Sequence, residues 1–188
     1  TSVDALCTIY LQRQPEAGFT TMAIIFGAIL FTTLQLTSAS VQTPSLKPCS
    51  GNDNSAIADI KGLTVTDLKP GKKATFNYTL ELKEQLPEKS MAIFTITYGN
   101  KTVPCIGGIG SCKYNLCGRS DKIGKKIGKP WNNKCPASAG SSENSVQVRI
   151  PYLLKRFIQE STIHVKIEVV SEGKTLLCVE LDLKVQEE

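Results

Sequence analysis

The chain has 188 residues, a formal net charge of +5, seven cysteines and one histidine. This length is that of one or two ordinary domains, and a single histidine excludes a Cys2His2 zinc site. It also leaves a histidine-dependent hydrolase with only one candidate base.

Residues 22–40 have the pattern of a signal peptide. Met22 precedes an almost entirely apolar stretch, and Ser38 and Ser40 place small residues at positions −3 and −1 of a cut before Val41. The stretch is shorter than the about 20 apolar residues that a membrane-spanning helix needs. We expect residues 1–21 to be upstream, non-native sequence and residues 41–188 to form the mature domain. An uncleaved amphipathic leader is the alternative.

Six cysteines follow the predicted cut, and an even number in a secreted chain indicates a disulfide framework. Spacing alone does not choose their pairing. Two sequons, Asn77-Tyr78-Thr79 and Asn100-Lys101-Thr102, predict glycans at Asn77 and Asn100. Both features agree with passage through the secretory pathway. The six cysteines are Cys49, Cys105, Cys112, Cys117, Cys135 and Cys178.

Alternating apolar and polar residues predict an all-β fold, namely an immunoglobulin-like antiparallel β-sandwich of two sheets. The clearest run is Thr75–Lys83, and a less regular strand over Ile57–Leu68 is expected to carry a bulge at Gly62. Turn residues separate the runs at 69–72, 98–101 and 171–174. The predicted inward faces comprise Phe76, Tyr78, Leu80, Leu82, Phe94, Ile96, Val146, Val148, Ile150, Ile163, Val165, Ile167, Leu177, Val179 and Leu181.

The segment Gly107–Asn144 has no strand period and is predicted to be irregular. From Lys113 to Lys134 it holds seven basic residues and one acidic residue, Asp121. One interpretation is a solubilising surface; the other is contact with an anionic membrane, at about 1 kcal/mol for each lysine near the bilayer. A nucleic-acid partner is not expected in a secreted protein without an aromatic stacking platform. The candidate contacts are Lys122, Lys125, Lys126, Lys129 and Trp131, although a lone tryptophan is equally a partly buried plug.

Two apolar pairs, Leu153-Leu154 and Phe157-Ile158, flank Lys155-Arg156 just after Pro151. They are either a connecting turn that packs against the core or a lip that enters a bilayer. In the second case Leu153, Leu154 and Phe157 contact the membrane.

His164 alternates with apolar residues and is predicted to lie on the solvated face of a strand. Catalysis by a histidine needs a cleft and an orienting partner, and paired cysteines leave no free thiolate. We therefore expect no catalytic residue, no metal site and no cofactor.

The sequence from Val103 through Cys112 resembles the lipid-recognition (ML) domain family, in particular its ganglioside-activator branch. The likeness continues through Tyr114–Cys117, Cys135-Pro136, Ile150-Pro151 and the ending Gly173–Cys178, and it covers residues 46–186.

The resemblance implies that the two sheets splay apart around an apolar cavity, which the inward faces named above would line. It also implies the disulfides Cys49–Cys178, Cys105–Cys112 and Cys117–Cys135. This chain lacks the cysteines for the fourth bridge of the ganglioside-activator branch, and lysines largely replace the apolar loop residues of that branch.

The expected function is therefore a secreted or lysosomal lipid-binding and lipid-transfer protein of the ganglioside-activator type. It would extract a glycosphingolipid, phospholipid or sterol from an anionic membrane and present it to a lysosomal hydrolase or an acceptor membrane. The alternative is an innate-immunity or allergen-like module that recognises a lipid or glycolipid and acts through a protein receptor.

Overall fold

The computed structural model describes residues 40–50, 56–118, 121–158 and 161–186. The predicted upstream segment and all of the predicted signal peptide except Ser40 lie outside these residues. The strands that are described are β1 (Val41–Gln42), β2 (Lys47–Pro48), β3 (Ala58–Thr66), β4 (Lys73–Leu82), β5 (Ser90–Tyr98), β6 (Lys101–Thr102), β7 (Lys113–Asn115), β8 (Gly140–Arg149), β9 (Ser161–Ser171) and β10 (Lys174–Val185).

These strands form two antiparallel sheets. The first has the order β1-β3-β4-β8, and the second has the order β2-β10-β9-β5-β6, with β7 also paired to β5. All strand pairs are antiparallel. The predicted all-β, immunoglobulin-like sandwich is confirmed.

Strand β4 shows why the alternating pattern was informative. It pairs along its whole length with β8, so that Phe76 lies opposite Val146 and Ala74 opposite Val148. Along β8, Val146 and Val148 are buried while the residues between and beside them are exposed. Period-two alternation therefore reports one buried face, as expected for a sandwich.

The predicted bulge and the predicted turns are also present. The pairing of β3 with β4 shifts register between Lys61 and Thr64, and Gly62 there has a φ of 61°, a left-handed conformation that glycine adopts without steric cost. The β9–β10 hairpin turns at Glu172 and Gly173, which have φ values of 50° and 81°.

The segment predicted to be irregular contains a short helix, α1 (Lys122–Ile127), followed by a 3-10 helix, η1 (Lys129–Trp131). Asp121 caps α1, because its carboxylate accepts hydrogen bonds from the backbone N–H of Ile123 at 2.8 Å and of Gly124 at 2.9 Å. Helix α1 contacts both β8 and β7. It therefore closes the sandwich between the β8 edge of the first sheet and the β7 edge of the second.

A second 3-10 helix, η2 (Tyr152–Arg156), connects β8 in the first sheet to β9 in the second. Three disulfides join Cys49 to Cys178, Cys105 to Cys112 and Cys117 to Cys135. These are the pairs that the family resemblance implies.

Candidate functional site

A cavity of about 210 Å³ lies between the two sheets. Both sheets contribute to its wall, and the predicted inward residues in it are Phe76, Tyr78, Leu80, Phe94, Ile96, Val146, Val148, Ile150, Ile163, Val165, Ile167, Leu177 and Leu181. Helix α1 and η2 close two of its sides with Ile123, Ile127 and Leu154. The space is therefore enclosed mainly by aliphatic and aromatic carbon.

Several inward side chains remain half-buried rather than buried, among them Phe76, Leu80, Phe94, Ile96 and Ile167. Their positions in the alternation point them between the sheets, so the area that they expose faces the cavity. A close-packed sandwich would bury these residues almost completely. The sheets of this protein are thus not fully interdigitated.

Two residues predicted to line the cavity, Leu82 and Val179, are not in its wall. Leu82 ends β4 and is 8% exposed, and Val179 is 7% exposed; both belong to a cluster that also contains Leu86 and Ala137. Leu82 and Val179 are therefore buried among neighbouring side chains and do not border the open space. Inward orientation was predicted correctly, but the cavity stops short of these positions.

Six wall residues from the irregular segment were missed by the sequence prediction, namely Ile109, Gly110, Tyr114, Leu116, Ile123 and Ile127. A weak signal existed for two of them. Ile123 and Ile127 are four residues apart, the spacing of one helix face, and Asp121 is a helix N-cap residue type.

Trp131 was predicted to contact a membrane or its headgroups; the structure places it in the cavity wall. It is half-buried, and its Nε1–H donates a hydrogen bond to the Leu116 carbonyl at 3.0 Å. The 3-10 turn over Lys129–Trp131 directs the ring inward. The plug interpretation is the one that the geometry supports.

The prediction that Leu154 contacts the membrane is wrong, because this side chain is 1% exposed and lies in the cavity wall. Its neighbours differ: Tyr152 is 57% exposed, Leu153 52% and Phe157 42%. We call residues 152–157 the lip. The packing-turn interpretation applies to Leu154, while contact of Leu153 and Phe157 with a membrane stays a prediction.

The lysines near the cavity are mostly at the surface. Lys122, Lys125 and Lys129 are exposed. Lys126 is half-buried, and its Nζ donates a hydrogen bond to the backbone carbonyl of Gln147 in β8. The first three are therefore available to a partner, whereas Lys126 fastens α1 to the sheet.

Two tyrosines bring hydroxyl groups to the wall. The Tyr114 hydroxyl donates to the Gly108 carbonyl at 2.6 Å, and burial, with a smaller contribution from the Asp121 charge, raises the pKa of Tyr114 to about 12. The Tyr78 hydroxyl accepts from the Asn144 amide at 2.9 Å, and burial raises the pKa of Tyr78. Both hydroxyls therefore stay neutral at physiological pH.

His164 lies exposed on β9, with Nδ1 3.0 Å from Asp182 Oδ1 and Nε2 3.8 Å from Glu180 Oε2. It is on the outer face of the second sheet, away from the cavity. The predicted glycan sites Asn77 and Asn100 are exposed as well, on β4 and in the β5–β6 turn.

Within the described part of the chain, no three potential metal ligands of the His, Cys, Asp or Glu type come together. None of the described helices has the length and apolar character needed to span a bilayer.

The ML domain profile matches residues 44–185. No curated protein matches the sequence. A Niemann-Pick type C2 protein from the Japanese carpenter ant aligns at 8% identity, covering 79% of this chain and 92% of its own, with a TM-score of 0.39. The alkylpurine DNA glycosylase AlkC of Pseudomonas fluorescens aligns at 18% identity, covering 70% of this chain and 31% of its own, with a TM-score of 0.38.

The two structural likenesses are too low to carry an argument. The profile match does establish the family, because it extends from just before β2 to the end of β10 and includes every strand of the cavity wall. This chain therefore belongs to the ML-domain family, a family of lipid-binding proteins.

Proposed function

We propose that this protein is a secreted or lysosomal lipid-transfer protein of the ganglioside-activator type. It takes a lipid out of a membrane into the cavity between its sheets and presents it to a hydrolase or to an acceptor membrane. The observation that carries the proposal is the cavity itself, an apolar space inside a sandwich that could otherwise have closed on a solid core.

The energetic need for such a space is large. Burying one methylene is worth about 0.8 kcal/mol, so a sixteen-carbon chain is held in a bilayer by about 13 kcal/mol. An apolar cavity offers the chain equivalent burial and removes most of this barrier to extraction. No covalent step is required, so the proposal needs no catalytic residue.

The volume bears on what the cavity holds. At about 210 Å³ it exceeds the roughly 150 Å³ cavity that admits a benzene molecule in another protein. It is smaller than the about 300–1,000 Å³ of pockets that hold drug-sized ligands. Part of an acyl chain or ring system fits without rearrangement, and complete enclosure of a larger lipid would require the sheets to move apart.

One end of the sandwich is suited to meet a membrane. There the β3–β4 turn, the Cys105–Cys112 loop, the start of α1 and the lip come together. A Cβ at Gly71 would lie 3.4 Å from the Tyr152 ring, one at Gly107 would lie 3.6 Å from Pro151, and one at Gly108 would lie 3.7 Å from Ile123. The lip carries exposed apolar side chains beside Lys155 and Arg156. Apolar and basic groups together favour an anionic membrane surface.

Trp131 provides the test of the proposed function, because it is the single tryptophan of the chain and lies in the cavity wall. The purified protein is mixed with vesicles whose phospholipid chains carry bromine, a short-range quencher, and is then separated from them. We expect the separated protein to retain quenched Trp131 fluorescence and about one extractable lipid per molecule.

The control is the same phospholipid without bromine, which should bind equally and leave the fluorescence unquenched. Protein that returns from the brominated vesicles with full fluorescence and no lipid would contradict the proposal. The receptor-dependent recognition module would then be the leading alternative.

Replacing Leu153 and Phe157 by serine should weaken binding to anionic vesicles. Both side chains are about half exposed, so each has roughly 1 kcal/mol of burial left to gain in a bilayer. We expect the double variant Leu153→Ser, Phe157→Ser to bind about 30-fold more weakly in a vesicle sedimentation assay.

The matched control is Leu153→Met, Phe157→Leu, which keeps the lip apolar and should bind as the parent protein does. If both pairs behave alike, the lip is not the membrane contact, and the exposed lysines of α1 and η1 become the candidates.

A further inference from the structure

The described cavity wall contains three aromatic side chains that carry a polar hydrogen, those of Tyr78, Tyr114 and Trp131. Two of these hydrogens are already used. The Tyr114 hydroxyl donates to the Gly108 carbonyl at 2.6 Å, and the Trp131 indole donates to the Leu116 carbonyl at 3.0 Å. The state of the third hydrogen depends on Asn144.

Asn144 is 7% exposed and lies opposite Tyr78 in the pairing of β8 with β4. Its side-chain nitrogen lies 3.4 Å from the Lys126 carbonyl, 3.3 Å from the Ile127 carbonyl and 2.9 Å from the Tyr78 hydroxyl. Carbonyl oxygens only accept hydrogen bonds, so the atom that faces them must be the amide nitrogen and not the amide oxygen. The amide therefore donates to Tyr78 as well.

A hydroxyl that accepts from Asn144 keeps its own hydrogen available. Among the described residues, no hydrogen bond places an acceptor on the Tyr78 hydroxyl hydrogen, in contrast with Tyr114. A donor that loses access to any acceptor is unfavourable, and Tyr78 is half-buried with its side chain in the cavity wall. The raised pKa of Tyr78 means that the hydroxyl keeps this hydrogen throughout the physiological pH range.

We propose that the Tyr78 hydroxyl is a polar subsite inside the cavity, where it donates a hydrogen bond to a neutral acceptor oxygen of the bound lipid, such as a ketone, an ester carbonyl or an alcohol. This inference rests on the proposed function, since it requires that the cavity hold a lipid. The subsite would favour lipids that carry such an oxygen, because a few placed polar groups fix the orientation of a ligand in an otherwise apolar pocket.

The position of the subsite narrows the class of ligand further. Among the described wall residues, the cationic side chain is that of Lys69, in the β3–β4 turn that precedes β4. Tyr78 lies five residues after Lys73, the first residue of β4, so roughly 17 Å of strand separates Tyr78 from that turn. An ionised carboxylate at Tyr78 would lose its hydration for a single neutral donor, which is strongly unfavourable. The subsite thus selects an uncharged oxygen.

The experiment compares two probes that differ by one acceptor oxygen, dodecan-2-one and dodecane. Each displaces the apolar fluorophore N-phenyl-1-naphthylamine from the full chain. We expect Tyr78→Phe to lower the ratio of ketone affinity to dodecane affinity about tenfold. The ring is retained, and Asn144 keeps its bonds to the two helix carbonyls, so the fold should be preserved.

Tyr114→Phe is the matched control, because it also removes a wall hydroxyl, but one whose hydrogen is already bound to Gly108. It should leave the ratio of ketone to dodecane affinity as in the parent protein. The inference is overturned if Tyr78→Phe leaves that ratio unchanged, or if Tyr114→Phe changes it as much. Failure of the parent protein to bind the fluorophore and both probes would instead overturn the proposed function, and this inference with it.

Discussion

A variant whose cavity is filled by larger side chains should lose lipid binding and remain folded. Ile96 and Ile167 are suitable positions, because both line the cavity and are only half-buried, so phenylalanine there can extend into open space. If the two rings exclude four methylenes of a lipid chain, the loss is about 3 kcal/mol. We expect Ile96→Phe, Ile167→Phe to bind lipid more than a hundredfold more weakly in the Trp131 quenching assay.

The stability of this variant should rise although its affinity for lipid falls. On the scale of about 24 cal/mol per Å³ that empty cavities cost in protein cores, a cavity of about 210 Å³ lowers stability by about 5 kcal/mol. Filling part of this space should therefore raise the free energy of unfolding of the lipid-free protein. Added lipid should stabilise the parent protein by mass action and leave the filled variant unchanged, as denaturant titrations with and without lipid would show.

The matched control for this experiment is Thr162→Phe, which places the same ring on the exposed outer face of β9. It should retain lipid binding and gain no stability. A filled variant that still binds lipid with the parent affinity would mean that lipid is held outside the cavity, for example on the exposed lip.

The sheets were predictable from sequence because burial on one face leaves a period of two. The run Thr75–Lys83 identified β4 with nearly correct limits. The start of β8 was missed, because Gly140 through Asn144 are polar or small and show no apolar alternation. That half of β8 is a strand because it pairs with β4, and such long-range pairing leaves no local signal.

The cavity could not be deduced from the residues, since alternation shows which side chains point inward but not how far apart the sheets lie. Leu80 and Leu82 illustrate the limit: both point inward on β4, yet the first borders the cavity, whereas the second is buried and is not part of the cavity wall. Helix α1 was missed for a related reason. Six residues with a central glycine do not form a helix on propensity alone, so α1 depends on its Asp121 cap and on its contacts with the sheet edges.

Two adjacent residues of the lip differ in burial, and the sequence pattern did not predict this difference. Leu153 and Leu154 are chemically identical neighbours, but the turn over Tyr152–Arg156 exposes the first and buries the second. A short turn has no period long enough to define a face. Burial at such positions is set by the strands that the turn connects.

Removal of the disulfide between Cys49 and Cys178 should cost more stability than removal of either other bridge. It joins residues 129 apart in sequence, against 7 for Cys105–Cys112 and 18 for Cys117–Cys135. In the chain-entropy account, such loops correspond to about 5, 2.5 and 3 kcal/mol respectively. We expect Cys49→Ala, Cys178→Ala to lose about twice as much free energy of unfolding as Cys105→Ala, Cys112→Ala.

The structural consequence should be local to the N-terminal segment. Residues 40–50 pair with β3 of the first sheet through β1 and with β10 of the second sheet through β2, and the backbone N–H of Cys49 donates to the Cys178 carbonyl at 3.2 Å. These pairings are only two residues long, so without the covalent bond the segment should open by local unfolding. Hydrogen exchange should then speed up in residues 41–49 while the amides of β4 and β8 stay protected.

Since no residue of this segment lines the cavity, the folded fraction of the variant should still bind lipid. Equal losses of stability from the two cysteine pairs would show that loop length does not govern their contributions.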